Sequence, residues 1–278
     1  MKKFLALILA ALMCITVFVA CDAEKKGEEK PKVSVELKAD EEVLKNADGD
    51  LKYILDKGEL VVGITDFAPM DYEDENGNWI GFDADMAKVF ASYLGVDVKF
   101  QVIDWKNKAF ELSSNNIDVV WNGMTLTDEV LSLMNCSNAY CNNAQVVIVK
   151  KENANVEDIS GFTFAVENGS AGMQAAEAEG FNYQPVDDQA KALLEVKSGT
   201  ADAAIIDSLM AGAMVGEGTS FEDLIWTVAL TEEKYGVGFR QESNVTELFN
   251  TFLKEAYDAG VVTEIAETYG VQAAIVAQ

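Results

Sequence analysis

From Leu51 onward the hydrophobic positions change period repeatedly, and each change marks an element. Leu60 to Thr65 is a β-branched run that reads as a strand. Met86, Val89, Phe90, Tyr93 and Leu94 then fall at helical spacing and stop at Gly95. Val96 to Val102 is extended, Trp105 to Leu112 helical, and Asp118 to Thr125 extended again. A second set follows Ala144 to Lys150. It has a strand at Phe162 to Val166, a helix opened by Gly169-Ser170 and running to about Glu179, a helix at Asp188 to Lys197, and a short strand from Ala203 to Ile206. Near the end Tyr235 to Phe239 returns as a strand, followed by helices at Thr246 to Asp258 and Val262 to Tyr269. Alternation of this kind predicts an α/β fold of right-handed crossovers on a largely parallel sheet. Two such sets with a terminal return predict two lobes, the first made from both ends of the chain.

The N-terminus has a different pattern. Lys2 and Lys3 precede an apolar stretch from Phe4 to Val19, and Phe18-Val19-Ala20-Cys21 ends it with a small residue before cysteine. The stretch is shorter than the ~20 residues that span a bilayer core. It predicts a signal peptide over residues 1–20 and lipidation of Cys21, which would anchor the chain outside the cytoplasmic membrane. Residues 21–50 are rich in Lys, Glu and Asp and lack aromatic side chains, the composition of a flexible tether.

Composition narrows the chemistry. The chain of 278 residues has 21 basic and 47 acidic residues and a formal charge of -26. Removing residues 1–20 takes away two lysines and gives -28. Nucleic acid is a poor partner for such a surface. There is no histidine, which removes Ser-His-Asp and Cys-His nucleophile activation and histidine-ligated zinc together. No catalytic residue, metal or cofactor is expected. Arg240 is the only arginine, so bidentate recognition of a carboxylate by guanidinium can occur at one place at most. Cys136 and Cys141 are five apart; in an extended segment their side chains point to opposite faces, so two buried thiols are expected rather than a disulfide.

Three segments together resemble the polar amino-acid solute-binding proteins of ABC transporters, family 3, with the type II periplasmic-binding fold. The first is Gly58-Glu59-Leu60-Val61-Val62-Gly63 through Pro69, continuing to Gly81-Phe82-Asp83-Ala84-Asp85. The second is Trp121-Asn122-Gly123-Met124-Thr125-Leu126-Thr127-Asp128-Glu129, followed by Cys136-Ser137-Asn138-Ala139-Tyr140. The third is Val166-Glu167-Asn168-Gly169-Ser170 with Gly199-Thr200-Ala201-Asp202-Ala203-Ala204-Ile205-Ile206-Asp207.

The resemblance spans roughly residues 51–278. It implies a two-lobed monomer that closes on a small solute and docks on an ABC permease, with lobe 1 over 51–139 and 236–278 and the hinge and lobe 2 over 140–235. Hinge strands are expected near Tyr140 to Ala144 and Glu232 to Gly236.

The resemblance also implies site residues. Phe67 and Trp105 match aromatic shelves, Gly123 and Thr125 the edge that meets the solute's main-chain groups, and Asp207 the carboxylate that binds its ammonium. Ser170 stands at a helix start that suits an anion or serves only as an N-cap. Asp66, Trp121, Met124 and Glu167 complete the expected lining. The family pattern after Thr127-Asp128-Glu129 ends in an arginine that forks onto a carboxylate, and Val130 stands in its place. With no cation placed in the cleft, ordinary α-amino acids are expected to bind weakly and amine-bearing solutes better. An enzyme resembling cyclohexadienyl dehydratases and a surface sensor or scavenger are the other function classes consistent with the pattern.

Overall fold

The computed structural model describes residues 35–278. Residues 1–20, Cys21 and the first part of the expected tether lie outside the described residues. Among the described residues, no helix is long and apolar enough to cross a membrane.

Order begins before Leu51. Helices α1 (Glu41–Lys45) and α2 (Gly49–Lys57) precede the first strand. Asp40 caps α1 by accepting from the Glu42 N–H at 2.7 Å, and the Ala39 N–H donates to the Tyr93 carbonyl at 3.0 Å. Ala39 is buried, while most side chains of residues 40–50 are exposed, so the segment has local helical order on a polar, solvent-facing composition. Asn244 holds its end by donating to the Asp48 carbonyl at 2.9 Å and accepting from the Leu51 N–H at 3.1 Å.

The first lobe follows. Strand β1 (Glu59–Ile64) leads through a small hairpin, β2 (Tyr72–Glu73) and β3 (Trp79–Ile80), to α3 (Phe82–Leu94). Then come β4 (Asp97–Val102), a 3-10 turn (Trp105–Asn107), α4 (Lys108–Ser113), β5 (Val119–Thr125) and α5 (Asp128–Leu133). Strand β1 pairs in parallel with both β4 and β5. Helix α3 buries Met86, Phe90, Tyr93 and Leu94, the stripe its spacing predicts.

After β6 (Asn135–Cys136), β7 (Cys141–Lys150) leads into the second lobe: β8 (Thr163–Glu167), α6 (Ala171–Glu179), β9 (Asn182–Val186), α7 (Gln189–Ser198), β10 (Ala203–Asp207) and α8 (Ser208–Met214). Here β8 pairs in parallel with β9 and β10. The chain returns along β11 (Leu224–Phe239) and ends with α9 (Val245–Asp258) and α10 (Val261–Tyr269).

The parallel crossovers are confined to the lobes; the strands that join them are antiparallel. Strand β11 pairs with β7 from Leu224 to Tyr235 and with β5 from Tyr235 to Gly238. It starts well before Tyr235, where the hydrophobic pattern places it. Register shifts near Trp226 and Ala229 and the polar run Glu232-Glu233-Lys234 hide its alternation. Cys136 and Cys141 are free thiols; burial pushes the Cys136 thiol up to about 11.

Candidate functional site

Where the ends of β5, β8 and β10 meet, a small pocket is lined by Phe67, Trp105, Gly123, Met124, Thr125, Val130, Glu167, Ser170 and Asp207. Lys108, Gln189 and Ala171 line it as well. Its volume is about 20 Å³, room for about one water. A wider groove of about 930 Å³, lined by Asp66, Asp104, Asp187, Asp188 and Lys191 among others, draws on both lobes.

The first-lobe face is apolar and tightly fitted. Phe67 and Trp105 are buried, and the Phe67 ring meets Tyr235 edge-on at 6.3 Å. Gly123 has φ +55°, and a Cβ there would stand 2.3 Å from Phe67 Cε1. Only glycine gives both that backbone and that clearance. Behind Gly123, its N–H donates to Asp83 at 2.6 Å. Val130 is buried with Trp105 and Met124, and its N–H donates to Thr127, the cap of α5, at 3.2 Å.

The second-lobe face is polar. Asp207 Oδ1 accepts from Tyr235 Oη at 2.7 Å, from Gln145 Nε2 at 3.0 Å and from Asn143. Its Oδ2 accepts from Gln189. These donors are neutral, and burial, with Glu233 adding repulsion, holds the Asp207 carboxyl well above its ordinary range. Glu167 ends β8; burial, then repulsion from Asp188, pushes it up to about 8, with Lys108 opposing. Glu167 Oε1 is buried without a hydrogen-bond partner. Ser170 caps α6, its hydroxyl accepting from the Met173 N–H at 3.1 Å.

Nine of the eleven expected lining residues meet in the pocket. Asp66 lies apart, exposed in the wider groove. Trp121 points into the core, where its ring is 4.9 Å from Phe249; it is one of the largest fully buried side chains. Alternation along β5 puts Trp121 and Asn122 on opposite faces, and the face carrying Trp121 is covered by α9. The Thr125 hydroxyl donates to Glu233 at 2.7 Å, so it braces the strand that crosses between the lobes.

The expectation of a cleft without a cation is corrected. Lys108 Nζ lies 4.9 Å from the Trp105 ring centroid and donates to the Gly169 carbonyl at 2.9 Å. A lysine three residues after an aromatic shelf shares its helical face, which was the available signal. Arg240 serves elsewhere: it bonds Asp50 at 2.8 Å and the Ile117 carbonyl at 2.9 Å.

Known proteins resemble this chain in sequence and in fold. The sequence profile of the bacterial extracellular solute-binding proteins, family 3, matches residues 60–272. The arginine-binding extracellular protein ArtP of Bacillus subtilis (strain 168) is 27% identical over 278 residues, covering 97% of this chain and 98% of that protein. The crystal structure of the P235GK mutant of the T. maritima protein ArgBP superposes with a TM-score of 0.75 at 32% identity, over 80% of this chain and 99% of that one. The ancestral amino acid-binding protein AncCDT-1, a precursor of cyclohexadienyl dehydratase, gives 0.73 at 29% identity, over 80% and 99%.

Proposed function

The chain belongs to the bacterial extracellular solute-binding proteins, family 3, and from that premise we propose that it captures a small amine-bearing solute between its lobes and delivers it to an ABC permease without covalent chemistry. The observation that carries the reading is the pairing of faces in the pocket. Asp207 and Glu167 are buried carboxyl groups with no cation bonded to them, set opposite the aromatic rings of Phe67 and Trp105. Burying a carboxylate without a counter-charge is costly, and a cationic solute supplies the missing charge. Aromatic faces add about 0.5–2 kcal/mol for such a group.

The pocket takes no more than a water as it stands, so a solute enters after the lobes part. Motion about the paired segments of β7 and β11, near residues 140–144 and 232–236, is the hinge this reading requires. In it, lobe 1 is 51–139 with 236–278, and the hinge and lobe 2 are 140–235. The protein acts as a monomer, held at the cell surface or in the periplasm by a lipid on Cys21 after loss of residues 1–20. The relatives' binding roles and the lack of histidine both favour capture over catalysis.

A thermal-shift screen against amines and amino acids, followed by small-angle scattering, tests this. Binding to the native state raises the melting temperature with solute concentration, and the radius of gyration should fall when the solute is added. Turnover of prephenate or arogenate by the purified protein, or contraction with no amine tried, would overturn it.

A further inference from the structure

Asp207 faces two ways. On one side it lines the pocket. On the other it meets Glu233 of β11, to which it is hydrogen-bonded. The two carboxyl groups also share donors. Asn143 Nδ2 donates to Asp207 Oδ1 and, at 2.6 Å, to Glu233 Oε1. Gln145 Nε2 donates to the same two oxygens, at 3.0 Å and 2.8 Å. Two ionised carboxylates present only acceptors to each other and repel, so a bond between them requires a proton.

Glu233 opens elsewhere. With Asn143, Ser208 and Lys234 it lines a groove of about 610 Å³ that has no lining residue in common with the pocket. Asn143 connects the two spaces: its Nδ2 bonds both carboxyl groups, and its Oδ1 accepts from the Ser208 hydroxyl at 2.9 Å. A proton on the pair therefore has a way to water that a solute in the pocket does not block.

Other ionisable groups surround the pair. Tyr235 on β11 and Cys141 on β7 are held neutral, mainly by burial. Glu232 and Lys234 of β11 line the groove, and Lys108 of α4 lines the pocket. Glu167 of β8, repelled by Asp188 of α7 and attracted by Lys108, is the only other carboxyl among the described residues that line the pocket. It can also release a proton near neutral pH, so a test has to separate it from the pair.

We propose that Asp207 and Glu233 hold one proton between them in the empty protein and that a cationic solute drives it out, which makes Glu233 a positioning residue that sets the pH range of capture. The proposal rests on the reading of the pocket as a site for an amine-bearing solute. The exchange balances. The empty pair carries one negative charge; the filled pair carries two, offset by the one positive charge of the ammonium. The solute keeps its own protons, and the displaced proton leaves through Glu233 to water. Release of a proton on binding makes affinity rise with pH, by up to about tenfold per unit.

Calorimetric titration of the purified protein with agmatine and with L-arginine, at pH 6 and pH 7, tests this. Each titration is run in phosphate and in Tris, which take up protons with different heats. For whichever solute binds, the difference between buffers should report release of about half a proton or more, and affinity should be about threefold or more tighter at pH 7 than at pH 6. Glu233→Gln keeps an acceptor for Thr125, Asn143 and Gln145 but removes the acid. It should release less than half as much as the parent and show a flatter pH dependence. Glu167→Gln should keep at least half of the parent's release. Melting curves without solute show whether each variant is folded; if Glu233→Gln is not, the parent and Glu167→Gln decide between the pair and Glu167. Binding without proton release, release that vanishes in Glu167→Gln, or release unchanged in a folded Glu233→Gln would overturn the coupling and leave the amine reading standing. If neither these nor any other amine binds, both fail.

Discussion

Asp71 and Asp83 in the first lobe and Glu167 and Asp207 in the second are all buried, and burial is the largest cause holding each above the usual carboxylate range. Their surroundings differ. Asp83 accepts from the Gly123 N–H at 2.6 Å and from Tyr140 Oη at 2.7 Å. Asp71 accepts from Asn122 Nδ2 at 2.7 Å, and Asn122 in turn accepts from the Thr65 hydroxyl at 2.7 Å. This network ties α3, β1 and β5 together and fixes the backbone behind the pocket. Asp207 and Glu167 instead line the pocket itself, and the donors to Asp207 are all side chains, three amides and the Tyr235 hydroxyl, with no main-chain N–H among them. Burial with a raised pKa is thus common to a brace and to a binding group. The kind of donor separates them.

Truncation at Asp83 should show the largest effect. Asp83→Ala strands a main-chain N–H that cannot rotate away, along with a buried tyrosine hydroxyl. At roughly 1–3 kcal/mol for each of the two unsatisfied groups, urea unfolding should register a loss of about 2–6 kcal/mol. A loss below about 1 kcal/mol would remove the distinction drawn here.

Asp207→Ala should reverse the pattern. Asn143 and Gln145 keep Glu233 as an acceptor and Gln189 can turn into the pocket it lines, so the buried Tyr235 hydroxyl is the one donor left stranded and folding should weaken by about 1–2 kcal/mol, less than for Asp83→Ala. Affinity for the tightest binder among L-arginine, L-histidine and agmatine should fall by about 2–4 kcal/mol, the scale of a buried charge left unpaired. If the two alanine variants lose the same folding stability and Asp207→Ala binds normally, Asp207 is a brace like Asp83.

The difference between braces and binding groups was only partly legible in the sequence. Period changes mark the strands and helices of both lobes, because each buries one face or stripe against a sheet. Phe67, Gly123 and Asp207 follow from the three family segments. Trp121 was misplaced because an aromatic residue beside a glycine edge looks the same from either face of the strand. The spacing of Lys108 from Trp105 is a local signal for its place beside the aromatic shelf, but its bond to the Gly169 carbonyl joins it to a loop 61 residues away, which no local pattern reports. The first part of β11 escaped for a related reason: its polar residues are satisfied across the sheet to β7, so alternation along the strand is weak.

The smallest effect concerns pH, and it isolates Glu167. This carboxyl is pushed up to about 8 from an ordinary 4.5, mainly by burial. Between those values the folded chain holds a proton that the unfolded chain has released. Stability therefore falls as pH rises, by at most about 1.4 kcal/mol per pH unit for one group. The contribution is fully present below about 4.5 and gone above about 8. Asp83, pushed up to about 7, adds a slope of the same sign that ends sooner. Without solute, the parent should lose more stability than Glu167→Gln on going from pH 5 to pH 8, and the difference should persist between pH 7 and pH 8, where Asp83 contributes little. Denaturant midpoints at pH 5, 6, 7 and 8 measure it. Parallel curves for parent and variant would mean that Glu167 is ionised in the folded protein at neutral pH. It would then be already compensated by Lys108 and no longer in need of a cationic solute.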